Sequence, residues 1–148
     1  MGNLVFARVD AGLEGVLDEL RQREPIFHTK AFGITAAERE SAVASNYWEV
    51  GASGRRYSRD FILGGLRANP PMDAESVGWK CSEFGLRRLG PEVYLLTYTL
   101  DQKGRITRRS TIWERTGEGW QILFHQGTVV TGEDDDTVPR EEEMPRGR

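Results

Sequence analysis

Apolar and polar residues alternate along most of the second half of this chain, and a helical period governs much of the first half. Strand-like segments fall at about 75–86, 92–100, 105–116 and 119–130. Only Leu89-Gly90-Pro91, Asp101-Gln102-Lys103-Gly104 and Gly117-Glu118 separate them, and turns that short make neighbouring strands antiparallel. Upstream, Leu13, Val16, Leu17 and Leu20 recur on one helical face between Asp10, a plausible N-cap, and Pro25, which ends the run. Ile26 and Phe27 are read as opening a short second helix. Thr35 with Glu38 spells a capping box, so residues 36–44 are expected to be helical. Residues 47–50 form a strand that turns through Gly51-Ala52-Ser53-Gly54, and Ser58 caps a third helix stopped by Asn69-Pro70-Pro71. The order predicts an α+β domain over residues 1–130, with helices in the hollow of a curved antiparallel sheet and a pocket between them. Residues 131–148 are expected to form an acidic, disordered tail.

Alternation also assigns faces. On 93–100 both sets are largely apolar, with Tyr94, Leu96, Tyr98 and Leu100 opposite Val93 and Leu95. A strand apolar on both sides points to helices over one face and a second subunit over the other. Arg109, Thr111 and Trp113 share one face of the next strand, and Arg108, Ser110 and Ile112 the other. On the last strand Trp120, Ile122 and Phe124 form the more apolar set. That places Gln126 inside and His125 on the convex side unless a bulge intervenes.

Composition narrows the function classes. Seven of the 23 acids but only three of the 20 lysines and arginines lie in 131–148, so the rest of the chain is near neutral. It lacks the basic field that nucleic acid or an anionic membrane calls for. Cys81 is the single cysteine, which excludes an intramolecular disulfide and a cysteine metal cluster and suits a reducing cytoplasm. No run approaches 18 apolar residues, and no signal pattern opens the chain. The acidic run 133–136 lacks the spaced ligands of a calcium loop. No metal, nucleotide or other cofactor is expected.

Glu49 is the first candidate for chemistry. It lies between Trp48 and Val50 on a strand that leans into the hollow, where burial raises a carboxylate's pKa into a useful range. The competing reading is a turn cap or an ion pair. His125 is the second candidate, as catalyst or as a hydrogen-bonding core or interface residue. Trp48, Tyr57 and Trp113 are read as apolar pocket lining, Arg109 as a contact for an anionic group, and Gln126 as an amide that orients a ligand. Each has a structural alternative: aromatic residues build cores, and surface arginines pair with acids.

The order of helices, hairpin, third helix and four-strand meander resembles the nuclear transport factor 2-like superfamily. The closest likeness is to an uncharacterised DUF4440-type branch beside the SnoaL-like polyketide cyclases and the ketosteroid isomerases. The resemblance is carried by Asn46-Tyr47-Trp48-Glu49-Val50-Gly51-Ala52-Ser53-Gly54-Arg55 and by 120–128. It implies a cone-shaped domain with a pocket at its open end, often a homodimer through the convex face of the sheet. Gly51 and Ala52 stand where an isomerase would carry its carboxylate base, so that mechanism is not carried over. Two functions remain: a small-molecule enzyme or binder using Glu49 with His125 or Gln126, and a non-catalytic dimerisation module whose pocket its own side chains fill.

Overall fold

The computed structural model describes residues 5–132. The element order is α1 (Glu14–Arg21), α2 (Ala36–Ser41), β1 (Val43–Val50), β2 (Arg56–Ser58), α3 (Arg59–Ala68), β3 (Lys80–Gly90), β4 (Val93–Gln102), β5 (Arg105–Thr116) and β6 (Gly119–Val129). The six strands form one sheet in the order β2-β1-β6-β5-β4-β3, curved and unclosed. Every neighbouring pair is antiparallel except β1 and β6, which run parallel and join the N-terminal hairpin to the meander. The expected α+β fold is thus present, and among the described residues no helix is long and apolar enough to cross a membrane. Of the expected tail, residues 133–148 lie outside the described residues.

Several elements differ in extent from their sequence pattern, each for a local reason. Helix α1 begins at Glu14, because Gly12 takes φ +84° and the Asp10 carboxylate accepts from the Arg88 amide instead of capping a helix. The Asp10 amide donates to the Leu86 carbonyl, which ties the N-terminal segment to the free edge of β3. The second helix expected at Ile26 is a turn. Phe27 sits there at φ +71°, a conformation that costs a bulky side chain of order 1 kcal/mol, and both residues are buried in the core. The capping box forms as read, with the Glu38 amide donating to Thr35 Oγ1 and the Thr35 amide to Glu38 Oε1. Helix α2 ends early because Val43 already belongs to β1. Strand β3 starts at Lys80, since the preceding residues make a turn in which the Trp79 amide donates to the Ala74 carbonyl.

The hollow is lined as alternation predicts on β4 and β5. Tyr94, Leu96, Tyr98 and Leu100 are buried, as are Thr107, Thr111 and Trp113, and the registers Tyr94↔Trp113, Leu96↔Thr111, Tyr98↔Arg109 and Leu100↔Thr107 align them in rows. Leu13 and Leu20 of the α1 segment and Phe27 and Phe32 of the following loop pack against these rows.

Strand β6 departs from strict alternation. Ile112 pairs with Phe124 but Trp113 pairs with Ile122, so Leu123 is an extra residue in the ladder. This bulge reverses the facing of everything after it. Trp120 and Ile122 point inward, Phe124 and Gln126 point to the convex side, and His125 and Gly127 turn into the cone. The alternation-based placement of Phe124 and Gln126 inside and His125 outside is therefore corrected, by one inserted residue.

Candidate functional site

Five inward-facing segments converge inside the cone: Glu24 and His28 from the loop after α1, Tyr47 and Glu49 from β1, Tyr98 from β4, Thr107, Arg109, Thr111 and Trp113 from β5, and His125 and Gly127 from β6. Glu24, which the sequence pattern did not single out, is the deepest charged group, at 4% exposure. Its carboxylate accepts from Tyr98 Oη at 2.6 Å and from Trp113 Nε1 at 3.0 Å. The Thr111 hydroxyl and the Ile26 amide also turn toward it. Desolvation outweighs these four donors and raises its pKa to about 7. The same carboxylate, together with burial, drives the Tyr98 hydroxyl well above the usual tyrosine range, so that hydroxyl stays a donor.

The hydrogen bonds running outward from Glu24 have a fixed direction. Arg109 can only donate, so where its Nη1 meets His125 Nε2 at 3.4 Å the ring nitrogen accepts. The ring proton then sits on Nδ1 and is given to Thr111 Oγ1 at 2.7 Å, which leaves the threonine hydrogen for Glu24. His125 is 1% exposed, and burial followed by the Arg109 charge lowers its pKa to about 3. It is a neutral strut between Arg109 and the buried carboxylate.

Arg109 is seated with similar economy. Its Nε donates to Thr107 Oγ1 at 2.9 Å, and its guanidinium lies flat on the β6 backbone at Gly127, where a Cβ would come within 3.1 Å of both Cζ and Nε. Facing it on β1 is Glu49. Oε1 of that carboxylate accepts from Tyr47 Oη at 2.5 Å, and its pKa is raised by burial against the opposing pull of Tyr47 and Arg109. Arg109 and Glu49 feel each other's charge but form no salt bridge.

The half-buried residues around them form the rim. Tyr57 lies opposite Glu49 in the β1–β2 register and stacks on Phe61. Phe84 stacks on Tyr98, and His28 packs its ring edge against Trp79 while donating from Nδ1 to the Met72 carbonyl at 2.9 Å. Burial and the Arg109 charge depress the His28 pKa, against the opposing pull of the Met72 carbonyl and of Asp73. Burial and the Glu24 charge push the Cys81 thiol up to about 12, which leaves it protonated and poorly nucleophilic near neutrality.

Of the residues singled out from sequence, Glu49, His125, Arg109, Trp113 and Tyr57 thus face the cone. Two do not. Trp48, 44% exposed, stands on the convex face with its ring edge against Phe124, because its neighbours Tyr47 and Glu49 take the inward positions. Gln126 is exposed on the same convex side, turned there by the bulge. It lines a groove of about 820 Å³ between the sheet and the N-terminal segment, together with Val5, Phe6, Thr97, Arg108 and Ser110. Tyr98 and Arg109 also border this groove, while Glu24, Tyr47, Glu49 and His125 lie on the other side of the sheet. Chemistry, not volume, locates the candidate site inside the cone. Glu24, Tyr47, Thr111 and Gly127 were missed from sequence: their signal is a register across strands, which one strand's pattern does not carry.

No family model matches the chain, and no curated protein matches it. Solved structures do. An NTF2-like protein from Cytophaga hutchinsonii superposes with a TM-score of 0.61 at 9% identity over 80% of this chain and 98% of that one. A proposed dehydratase of the NTF2-like family from Streptomyces avermitilis gives 0.61 at 15% identity over 83% and 99%. An NTF2-like protein of unknown function in nutrient uptake from Rhodospirillum rubrum gives 0.54 at 16% over 80% and 98%. With its unclosed six-stranded sheet wrapped around helices and a polar row inside the cone, the chain has the nuclear transport factor 2-like fold.

Proposed function

We propose that the chain binds a small, mostly apolar molecule at the open end of its cone, with Glu49 as the acid-base group at that site. The observation that carries this reading is the unclosed approach of Glu49 and Arg109 inside a rim of half-buried aromatic residues: two opposite charges, each fixed by its own protein partner, with no contact between them. A carboxylate whose pKa is raised by burial holds its proton to higher pH and is a stronger base once ionised, which suits proton abstraction or elimination of water. The fold is shared with a proposed dehydratase, and the reaction class here is left at acid-base chemistry without metal or nucleotide. Placement in the cytoplasm and in the DUF4440-type branch belongs to the same reading. It rests on the lone Cys81 and on the segments 46–55 and 120–128.

The test is a thermal-shift screen against a broad panel of small metabolites, run on wild type and Glu49→Gln. A ligand at a hundred times its dissociation constant adds about 2.7 kcal/mol, or roughly 6–10 °C for a domain of this size. A hit lost or weakened in Glu49→Gln supports the reading. A panel with no hits, combined with a large change in melting temperature in Glu49→Gln itself, makes the carboxylate structural and overturns it.

A specific observation favours a second role, as a homodimer. Trp48, Phe124, Ile112 and Leu95 follow one another in register across four strands of the convex face, an apolar stripe over which no helix lies among the described residues. Light scattering at high micromolar concentration should give twice the chain mass, and Trp48→Glu should halve it. A monomeric wild type removes this role.

A further inference from the structure

We infer that the occupant of the cone's mouth is a monocarboxylate with an apolar or aromatic body, its carboxylate seated on the free edge of Arg109. This rests on the small-molecule reading above and names the chemical class of the ligand. Of the five N–H groups of Arg109, one goes to Thr107 and one to His125. No described residue accepts from the Nη2 group. The Arg39 Nε is the one buried side-chain polar atom without a partner among the described residues, so Nη2 and the second oxygen of Glu49 both remain open to water from the mouth. Thr107, His125 and the bare Gly127 backbone hold the guanidinium plane still. A pinned planar fork with one open edge fits the two oxygens of a carboxylate.

The charges around it select a monoanion. Among the described residues Arg109 is the one cation whose field reaches Glu49, His28, Cys81, Tyr98 and His125 alike. Around the mouth the other titratable groups are Glu24 and His28 on the loop, Asp73 beside His28, Tyr47 on β1, Tyr57 on β2, Cys81 on β3 and Tyr98 on β4; α3 turns the apolar Ile62, Leu63 and Leu66 to the core. None of these adds a second positive charge near neutrality, because both histidines are held neutral. Glu49 shares the field of Arg109, so an incoming carboxylate meets the charge of Glu49. It binds when Glu49 carries a proton, and the two carboxyl groups then share a hydrogen bond. The rim of Tyr57, Trp79 and Phe84 receives the body.

Calorimetry with matched pairs tests this: benzoate, phenylacetate and hexanoate against benzamide, phenylacetamide and hexanamide, with phenyl phosphate as the dianion, from pH 5 to pH 8. Acids should bind at least tenfold more tightly than their amides, and their affinity should fall up to tenfold per pH unit once pH exceeds the Glu49 pKa. Glu49→Gln should weaken acid binding at pH 5 and flatten that slope, while Arg109→Met should lose acid binding altogether. The acid-amide comparison needs only wild type, so it stands even where Arg109→Met misfolds. Amides binding as tightly as acids would overturn the carboxylate assignment and leave the pocket reading intact, and phenyl phosphate binding most tightly would overturn the monoanion. No binding by either series at 10 mM, a concentration of roughly −2.7 kcal/mol on the affinity scale, removes both readings.

Discussion

Adjacent residues on β5 face opposite ways and meet opposite fates. Arg108, on the convex side, lies 2.9 Å from Glu83 and also donates to Thr99, which itself donates to Glu83. Arg109, on the concave side, faces a glutamate that it does not touch. The chain therefore builds the same two charges twice, once as a closed pair and once as an open one. A closed pair on a half-exposed face is ordinary surface electrostatics. The open pair is the feature on which the binding proposal rests, and Thr107, His125, Thr111, Tyr98 and Glu24 stand behind it. Neighbouring residues of one type are thus distinguished by what holds them.

The sharpest way to break this contrast is to remove the buried anchor. Glu24→Ala strands the Tyr98 hydroxyl and the Trp113 indole N–H in the core, at about 1–3 kcal/mol for each unsatisfied donor, so the loss should be about 3–5 kcal/mol by urea unfolding. Glu83→Ala on the convex side should cost less than about 1 kcal/mol. Equal costs would mean that the concave network is no more than another ion pair.

Acidity provides the next largest effect, from opposed signs. Glu24 is raised from 4.5 to about 7 in the fold, so the folded state holds its proton more tightly. Its contribution is fully present below pH 4.5 and lost as pH rises through 7. His125 is lowered from 6.5 to about 3, so its contribution is present above pH 6.5 and lost as pH falls toward 3. At about 1.4 kcal/mol per unit, Glu24 is worth about 3–4 kcal/mol and His125 about 5 kcal/mol. Between pH 4.5 and 6.5 the two slopes cancel, which predicts a stability plateau there, with falls on both sides. His125→Gln should abolish the acid fall, read from urea midpoints across pH 3 to 8, and Glu24→Gln should abolish the decline toward pH 7. Glu49, also raised, acts in the direction of Glu24, and His28, also lowered, in that of His125.

Space under Arg109 comes third. Gly127→Ala puts a methyl within 3.1 Å of the guanidinium, so the arginine must lift or the strand must shift, at about 1–3 kcal/mol for overpacking. Gly64→Ala, with open space around its Cβ, should change stability little or stabilise the helix by up to about 1 kcal/mol. Equal melting temperatures for the two variants would mean that the seat is not tight.

These residues also show where sequence reading stops. Alternation on β4 and β5 grouped Arg109, Thr111 and Trp113 on one face and Tyr98 with Tyr94, Leu96 and Leu100, groupings the structure keeps because the two strands pair without a register shift. The capping box at Thr35 and the N-cap at Ser58 were legible for the same reason: their partners are three residues away. Leu123 defeated the reading of His125 and Gln126, since nothing in Leu-Phe-His-Gln announces an inserted residue, and pairing decides it. Glu24 was illegible for another reason. Before Pro25 it reads as the polar end of a helix, and its donors Tyr98 and Trp113 stand 74 and 89 positions away. Only the closed cone brings them together.

The smallest effect isolates the contrast most cleanly. A double-mutant cycle on Glu83 and Arg108 should return a coupling of about 0.2–1 kcal/mol, the usual worth of a half-exposed pair, and that coupling should shrink with added salt. The same cycle on Glu49 and Arg109 should return a smaller coupling in the free protein, because no direct bond links them. Adding a saturating ligand should then change the second coupling and leave the first untouched, since only the concave pair would share a partner. A free-protein coupling between Glu49 and Arg109 as large as that of Glu83 and Arg108 would show that the concave pair closes in solution, and the distinction between the two faces would rest on Glu24 and its donors alone.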